Sequence, residues 1–139
     1  MVDDRADEGE IWENVKRLIS NERLTLGTHW SFNLRNDPKR LSFVLSRYKF
    51  AAKIIGRRRV LELGCSEGIG TPILAEFATE YVGVDADGQA IAAANQNFSS
   101  EICSFISDDF LDQSFGQFDA VVSLDVCEHI MPEMEDSYF

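Results

Sequence analysis

The stretch VLELGCSEGIG, from Val60 to Gly70, decides the fold of this 139-residue chain. Its apolar start predicts a short buried strand, and its glycines predict a tight turn after that strand. The next eight residues, TPILAEFA from Thr71 to Ala78, predict a helix whose proline lies in the first turn, where a missing N–H costs little. A strand, a glycine-rich turn and a helix form the first unit of a nucleotide-binding α/β fold.

The spacing of the glycines argues against two common phosphate-binding loops. A dinucleotide fingerprint needs G-x-G-x-x-G, but Ser66 and Ile69 stand at its second and third glycine positions. A P-loop needs G-K-[ST], and no Lys or Arg occurs anywhere after Arg59. An NAD-linked oxidoreductase is therefore disfavoured, and the pattern that remains is E-x-G-x-x-x-G, from Glu62 to Gly68.

An acidic residue ends the second predicted strand, Tyr81–Asp85, and residues 88–98 then predict an Ala-rich helix. Asp85 follows Gly64 by 21 residues. In nucleotide-binding α/β folds an acid about 20 residues after the glycine turn accepts hydrogen bonds from ribose hydroxyls. The alternative is a strand-end acid that caps the following helix. We favour the ribose role because position, strand context and spacing agree.

Two more strands follow the same plan. Residues Ile102–Ile106 predict the third strand, and the segment SDDF, residues 107–110, comes directly after it. Residues Ala120–Leu124 predict the fourth strand, inside the segment FDAVVSLDVCEHI that runs from Phe118 to Ile130. The carboxyl ends of parallel strands meet at one edge of a sheet, so these segments are expected to lie together.

Taken together, the four motifs between Val60 and Ile130 resemble those of the class I S-adenosylmethionine-dependent methyltransferases, in the same order. The first family motif is [DE]-x-G-x-G-x-G, and Ser66 stands here at its middle glycine. The resemblance implies an α/β fold: a three-layer Rossmann-like parallel sheet in strand order 3-2-1-4, with N-terminal helices. It also implies an enzyme that uses S-adenosyl-L-methionine to methylate a small-molecule substrate.

The resemblance also assigns cofactor contacts to residues at the strand ends. In the family an acid after strand three accepts from the adenine amino group, and the next residue packs on the ring. Asp109 matches that acid best, with Asp108 one step away, and Phe110 would stack. The full set of cofactor contacts implied is Glu62, Gly64, Cys65, Ser66, Gly68, Asp85, Ala86, Asp108, Asp109, Phe110 and Leu124.

His129, after strand four, is the predicted catalytic base, because histidine is the usual base near neutral pH. Its alternative role is to orient the loop through Glu128 or the backbone. Asp125, Glu128 and His129 also form D-x-x-E-H, which looks like the metal site of small-RNA 2′-O-methyltransferases. No further His follows, so we favour a site without metal.

The N-terminal part, residues 1–59, is predicted as a helical and lid segment before the partial cofactor-binding domain at 60–139. Apolar periodicity predicts one helix over residues 8–20 and a second helix that ends at Gly56. The second helix is predicted to begin with Asp37 as its N-cap and Pro38 in its first turn. Residues 24–36 show no clear period and predict a loop. We favour a loop packed on the domain surface over a lid with His29 facing the substrate.

Charge and composition limit the partners. Residues 1–59 carry all 13 Lys and Arg with 8 acids, whereas residues 60–139 carry 16 acids and no Lys or Arg. We therefore expect no nucleic-acid partner, while the acidic half tolerates a cationic cofactor. No apolar run approaches the ~18 residues of a membrane span, so no membrane partner is expected. Three scattered cysteines and an acidic N-terminus without a signal peptide predict a cytoplasmic protein.

The sheet predicted from this chain has an open edge. A full class I sheet has seven strands in the order 3-2-1-4-5-7-6, and only four are encoded here, so strand four would be unpaired on one side. Either the chain is a C-terminally truncated form, or another copy covers that edge, through which we expect self-association. Because the strands on the substrate side are missing, a cofactor-binding or interaction module without catalytic activity stays an alternative.

Overall fold

A computed structural model describes residues 8–21, 26–111 and 113–138 of the chain. Four parallel strands form one sheet in the order β3-β2-β1-β4, which confirms the predicted topology. Strand β4 is two residues shorter than predicted, and the Ser123 hydroxyl after it donates to the Leu63 carbonyl oxygen at 3.2 Å. The strands are β1 (Arg59–Leu63), β2 (Glu80–Asp85), β3 (Cys103–Ser107) and β4 (Ala120–Val122).

In the described residues, six α-helices accompany the sheet: α1 (Glu8–Asn21), α2 (Gly27–Asn36), α3 (Pro38–Ile55), α4 (Thr71–Leu74), α5 (Gly88–Phe98) and α6 (Glu135–Tyr138). The predictions of α1, α3 and α5 are confirmed, and α4 is shorter than predicted. The loop predicted over residues 24–36 is wrong where it is described, because residues 27–36 are helical. Only Trp30 and Asn33 of α2 are buried, so this helix leaves no apolar stripe in the sequence.

The long helix α3 begins and ends as the sequence predicts. Pro38 is its first residue, and Gly56 follows its end with a φ of +64°. Asp37 occupies the predicted N-cap position, but its side chain makes no capping hydrogen bond. The inner face of α3 contributes Val44, Tyr48 and Ala52 to the core.

The core lies mainly on one face of the sheet. There, side chains of α2, α3, α4 and α5 pack against Val60 of β1 and Tyr81 of β2, both fully buried. The opposite face is smaller and is covered by aromatic side chains of the segment between β3 and β4, namely Phe110, Phe115 and Phe118. Since α2 and α3 share the main core with the sheet, they stand directly beside the carboxyl ends of β1 and β2. The division into segments 1–59 and 60–139 stays a prediction.

The outer edge of the sheet is open in the part of the chain that the structure describes. There, β4 pairs with β1 alone, and Val121 is 61% exposed. The C-terminal turn folds back on the end of this strand, where the Tyr138 hydroxyl donates to the Ser123 hydroxyl. Self-association through this edge stays a prediction. Among the described helices, none has the length and apolar character required to cross a membrane.

Candidate functional site

A cavity of about 340 Å³ lies at the carboxyl ends of β1, β2 and β4. Ten of the strand-end residues singled out from the sequence line it, so the four motifs do converge: Gly64, Cys65, Ser66, Asp85, Ala86, Phe110, Leu124, Asp125, Glu128 and His129. The N-terminal helices close the other side with His29, Trp30, Arg40, Val44 and Tyr48. This volume falls within the range of small-molecule and cofactor pockets.

Four of the predicted cofactor residues do not line this cavity. Glu62 is buried in the core, and Gly68 lies beneath the loop against Ala94 and Phe98. Asp108 and Asp109 are exposed, and an Asp109 carboxylate oxygen accepts from the Leu111 N–H at 3.0 Å. The residue after them, Phe110, does reach the cavity wall.

The glycine turn after β1 follows a backbone path that few side chains tolerate. Gly64 and Gly68 both have a φ of +75°, and Ser66 has a φ of +50°. Ser66 thus occupies the family's middle glycine position in the left-handed conformation that favours glycine. A Cβ at Gly64 would lie 2.3 Å from Cγ2 of Val126, so the turn packs tightly against the segment after β4.

Asp85, at the end of β2, ties this turn in place. One of its carboxylate oxygens accepts from the Ser66 N–H at 2.8 Å, and the other accepts from the Asp87 N–H at 2.9 Å. The helix-capping alternative for Asp85 is wrong, because Asp87 caps α5 by accepting from the N–H groups of Gln89 and Ala90. Each Asp85 oxygen keeps lone pairs beside the cavity, as a ribose-binding acid requires.

Glu62 is held by a buried network of hydroxyls. Its two oxygens accept from the Tyr48 hydroxyl at 2.6 Å and from the Tyr81 hydroxyl, to which Thr71 donates at 3.1 Å. Burial raises the pKa of Glu62 to about 6, although both tyrosine hydrogen bonds favour its charged form. Burial and the nearby Glu62 charge also raise the pKa of Tyr48 and of Tyr81. The network joins α3, β1, β2 and α4 beneath the cavity.

Glu67, to which no sequence motif assigns a role, joins the glycine turn to α2. Its side chain is 4% exposed, and its two carboxylate oxygens accept from the backbone N–H groups of His29 at 2.7 Å and Trp30 at 2.8 Å. His29 is the third residue of α2, where the N–H has no partner within the helix, and Trp30 follows it at the end of the first turn. Glu67 lies 38 residues from His29 and 37 residues from Trp30 in the sequence, so no local sequence pattern predicts this contact.

His29 stands where two cavities meet. Besides the cavity described above, a wider groove of about 1030 Å³ runs between α2 and α5, and His29, Ser66 and Asp85 line both. The His29 ring meets the Trp30 ring edge-on, with centroids 5.2 Å apart. The indole Nε1 of Trp30 is buried without an acceptor among the described residues. Helix α2 is therefore a wall of the candidate site, and the lid role stays a prediction.

The segment after β4 does not bring its three candidate metal ligands together. Asp125 has a φ of +57° and forms an ion pair with Arg47, 2.5 Å between carboxylate oxygen and guanidinium nitrogen. Glu128 and His129 lie exposed in a 3₁₀ turn, Cys127–His129. Within residues 8–21, 26–111 and 113–138, no group of three or more His, Cys, Asp or Glu side chains is arranged to hold a metal. The metal hypothesis thus lacks a converging ligand set.

The comparisons with known proteins agree with this arrangement. A family model described as "Methyltransferase domain" matches residues 61–138. Cyclopropane-fatty-acyl-phospholipid synthase of Escherichia coli K12 is 33% identical over 85 residues, 58% of this chain and 21% of that protein. Magnesium-protoporphyrin O-methyltransferase of Rhodobacter capsulatus is 37% identical over 70 residues, 48% of this chain and 31% of that protein. The chain thus spans less than a third of each of these relatives.

Solved structures share the fold. N-methyltransferase NodS from Bradyrhizobium japonicum WM9, in complex with S-adenosyl-L-homocysteine, superposes with a TM-score of 0.62 at 24% identity, covering 81% of this chain and 59% of NodS. Magnesium protoporphyrin IX methyltransferase from Synechocystis PCC 6803, with bound S-adenosylmethionine, gives 0.55 at 22% identity, with coverages of 71% and 49%. The chain belongs to the methyltransferase-domain family, within the class I S-adenosylmethionine-dependent methyltransferases that its motifs resemble.

Proposed function

We propose that this chain binds S-adenosyl-L-methionine in the 340 Å³ cavity and belongs to an enzyme that methylates a small molecule. The observation that carries the proposal is the convergence of the glycine turn, Asp85, Phe110 and Leu124 on one cavity in a chain of this family. The names of the two relatives described above refer to a phospholipid and to a porphyrin, which supports an acceptor outside proteins and nucleic acids.

The residues present suit this cofactor. Asp85 offers two carboxylate oxygens to the ribose hydroxyls, and Phe110 offers a ring face to the adenine. The cavity wall also carries the carboxylate of Glu128, which with Asp85 outweighs the charge of the lining Arg40 guanidinium and favours a ligand with a sulfonium and an ammonium group. Asp125 is already paired with Arg47. Gly64 leaves the loop backbone without a side chain where it meets the cavity.

The bound cofactor would supply an electrophilic methyl group, and the chain's own residues would hold and align it. Methyl transfer is an in-line displacement, for which correct positioning contributes up to ~7–11 kcal/mol to lowering the barrier. The Glu62 network and the Asp85–Ser66 hydrogen bond fix the backbone that frames the cavity. Rigid framing of this kind is the contribution that the geometry supports best.

His129 is proposed as the base that removes a proton from a hydroxyl acceptor. It lines the cavity from the segment after β4 and is exposed, so an acceptor can reach its imidazole. His29 lines the same cavity from α2 and is the second candidate. Replacing each in turn by Ala in the longest available natural protein, and measuring kcat against pH, separates them: the base is the one whose loss abolishes the acidic limb.

Calorimetry with S-adenosyl-L-homocysteine tests the binding proposal. The Asp85→Ala variant should bind more weakly by about 1.5–3 kcal/mol, because a charge-assisted hydrogen-bonded pair is lost. Glu101→Ala, an exposed acid outside the cavity, serves as the control and should leave the affinity unchanged. Unchanged affinity in Asp85→Ala, or equal heats with NAD in the wild type, would reject the proposed site.

A further inference from the structure

We propose that Glu67 is a positioning residue that couples the glycine turn to α2, so that one carboxylate sets His29 and Trp30 at the wall of the cofactor cavity. This inference rests on the proposed function. It starts from the two hydrogen bonds of 2.7 and 2.8 Å that Glu67 accepts from these two backbone N–H groups. A buried carboxylate that accepts from a helix N-terminus is favoured by both the unpaired donors and the helix dipole.

The N-terminus of α2 receives no cap from its own N-cap side chain. The residue before the helix, Leu26, makes no side-chain capping hydrogen bond. Glu67 lies 38 residues away in the chain and reaches the helix from the glycine turn. The position of the α2 N-terminus therefore depends on a residue of the cofactor loop.

Gly27 shows how closely the two parts fit. It opens α2 with a φ of +80°, and a Cβ at this position would lie 2.2 Å from Cδ of Glu67 and 2.3 Å from its Oε1. Any side chain here would push the carboxylate away from the helix. The sequence thus leaves room at position 27 for the contact that Glu67 makes.

On the side of the glycine turn, Glu67 is connected to the residues that line the cofactor cavity. Ser66, the residue before Glu67, donates its N–H to the Asp85 carboxylate at 2.8 Å, and both Ser66 and Asp85 line the cavity. A ligand that fixes Asp85 and the glycine turn would therefore also fix Glu67, and through it the first turn of α2. Binding and the placement of His29 and Trp30 are linked by one continuous set of hydrogen bonds.

The test compares Glu67→Ala, Glu67→Gln and Gly27→Ala with the wild type and with Glu76→Ala, an exposed acid in the turn after α4. Amide hydrogen exchange at His29 and Trp30 is measured without and with S-adenosyl-L-homocysteine, and the affinity is measured by calorimetry. Thermal melts identify variants that remain folded. In Gln a single carbonyl oxygen remains to accept, so this variant should retain part of the protection.

We expect exchange at both amides to accelerate at least tenfold in Glu67→Ala and in Gly27→Ala, with Glu67→Gln between these variants and the wild type. The ligand should slow exchange at these amides in the wild type but not in Glu67→Ala, whose affinity should fall about fivefold or more. The proposal would be overturned if exchange at the His29 and Trp30 amides were unchanged in Glu67→Ala. It would also be overturned if exchange became faster but the variant kept the wild-type affinity for the ligand and the wild-type protection of these amides by it. A wild type that binds no S-adenosyl-L-homocysteine would refute the proposed function and the coupling, while ligand-free exchange would still report whether Glu67 holds α2.

Discussion

Two glutamates in the same motif, Glu62 and Glu67, are both almost fully buried, but they stabilise different parts of the molecule. Glu62 lies in β1 and accepts from two tyrosine hydroxyls that belong to α3 and β2. Glu67 lies in the glycine turn and accepts from two backbone N–H groups of α2. The first carboxylate holds the core together beneath the cavity, whereas the second joins the loop to a helix beside it. A buried acid in this motif is therefore identified by its donors and not by its position alone.

The largest expected effect comes from removing the acceptor in the core. Glu62→Ala would leave the Tyr48 and Tyr81 hydroxyls buried without their acceptor, and each such group costs about 1–3 kcal/mol. We expect the free energy of unfolding to fall by about 4 kcal/mol in urea titrations. Glu67→Ala should lose only about 2 kcal/mol, since water can reach the end of a loosened helix more easily. Equal losses in the two variants would contradict the distinction drawn between them.

A pH titration sharpens the comparison. The Glu62 pKa is raised from 4.5 to about 6 in the folded chain, so the folded state keeps this proton to a higher pH than the unfolded state does. The contribution of Glu62 to stability is therefore greatest below pH 4.5 and declines by about 2 kcal/mol as the pH rises to about 6 and beyond. The difference in unfolding free energy between wild type and Glu62→Gln should decline over that window. A difference that stays constant from pH 4 to 7 would show that the Glu62 pKa is not raised.

The smallest expected effect concerns Ser66, which stands between the two glutamates. Its φ of +50° is a conformation that costs a non-glycine residue about 1–2 kcal/mol. Glycine avoids this cost, but it gives back part of the gain because its unfolded chain has more conformational entropy to lose on folding. Ser66→Gly should therefore raise the free energy of unfolding by about 0.5–1 kcal/mol. Ser66→Ala provides the matched control and should not be stabilised. A less stable Ser66→Gly would mean that the serine hydroxyl makes up for its backbone strain.

The parts of the molecule that local patterns specify were predictable from the sequence. Apolar runs located the four strands, and a 3.6-residue period located α3. Helix α2 was missed because only Trp30 and Asn33 of its residues are buried, which leaves no apolar period, and because Glu67, which holds its N-terminus, lies far along the chain. Glu62 was predicted to contact the cofactor, but in the structure its carboxylate accepts hydrogen bonds from two buried tyrosines, Tyr48 and Tyr81, which the sequence does not link to it. The start of α2 and the environment of Glu62 both depend on contacts between residues far apart in the sequence.

Nuclear magnetic resonance with S-adenosyl-L-homocysteine tests the central claim most directly, because it locates the ligand on the chain residue by residue. If the cofactor binds in the cavity, the amides of Ser66, Ala86 and Phe110 should shift on titration, together with those of His29 and Trp30 in α2. Amides on the outer face of α3, such as that of Phe50, should not move. Shifts confined to the outer face of α3, or no saturable shift at Ser66 and Ala86, would contradict a cofactor site at the carboxyl ends of β1 and β2.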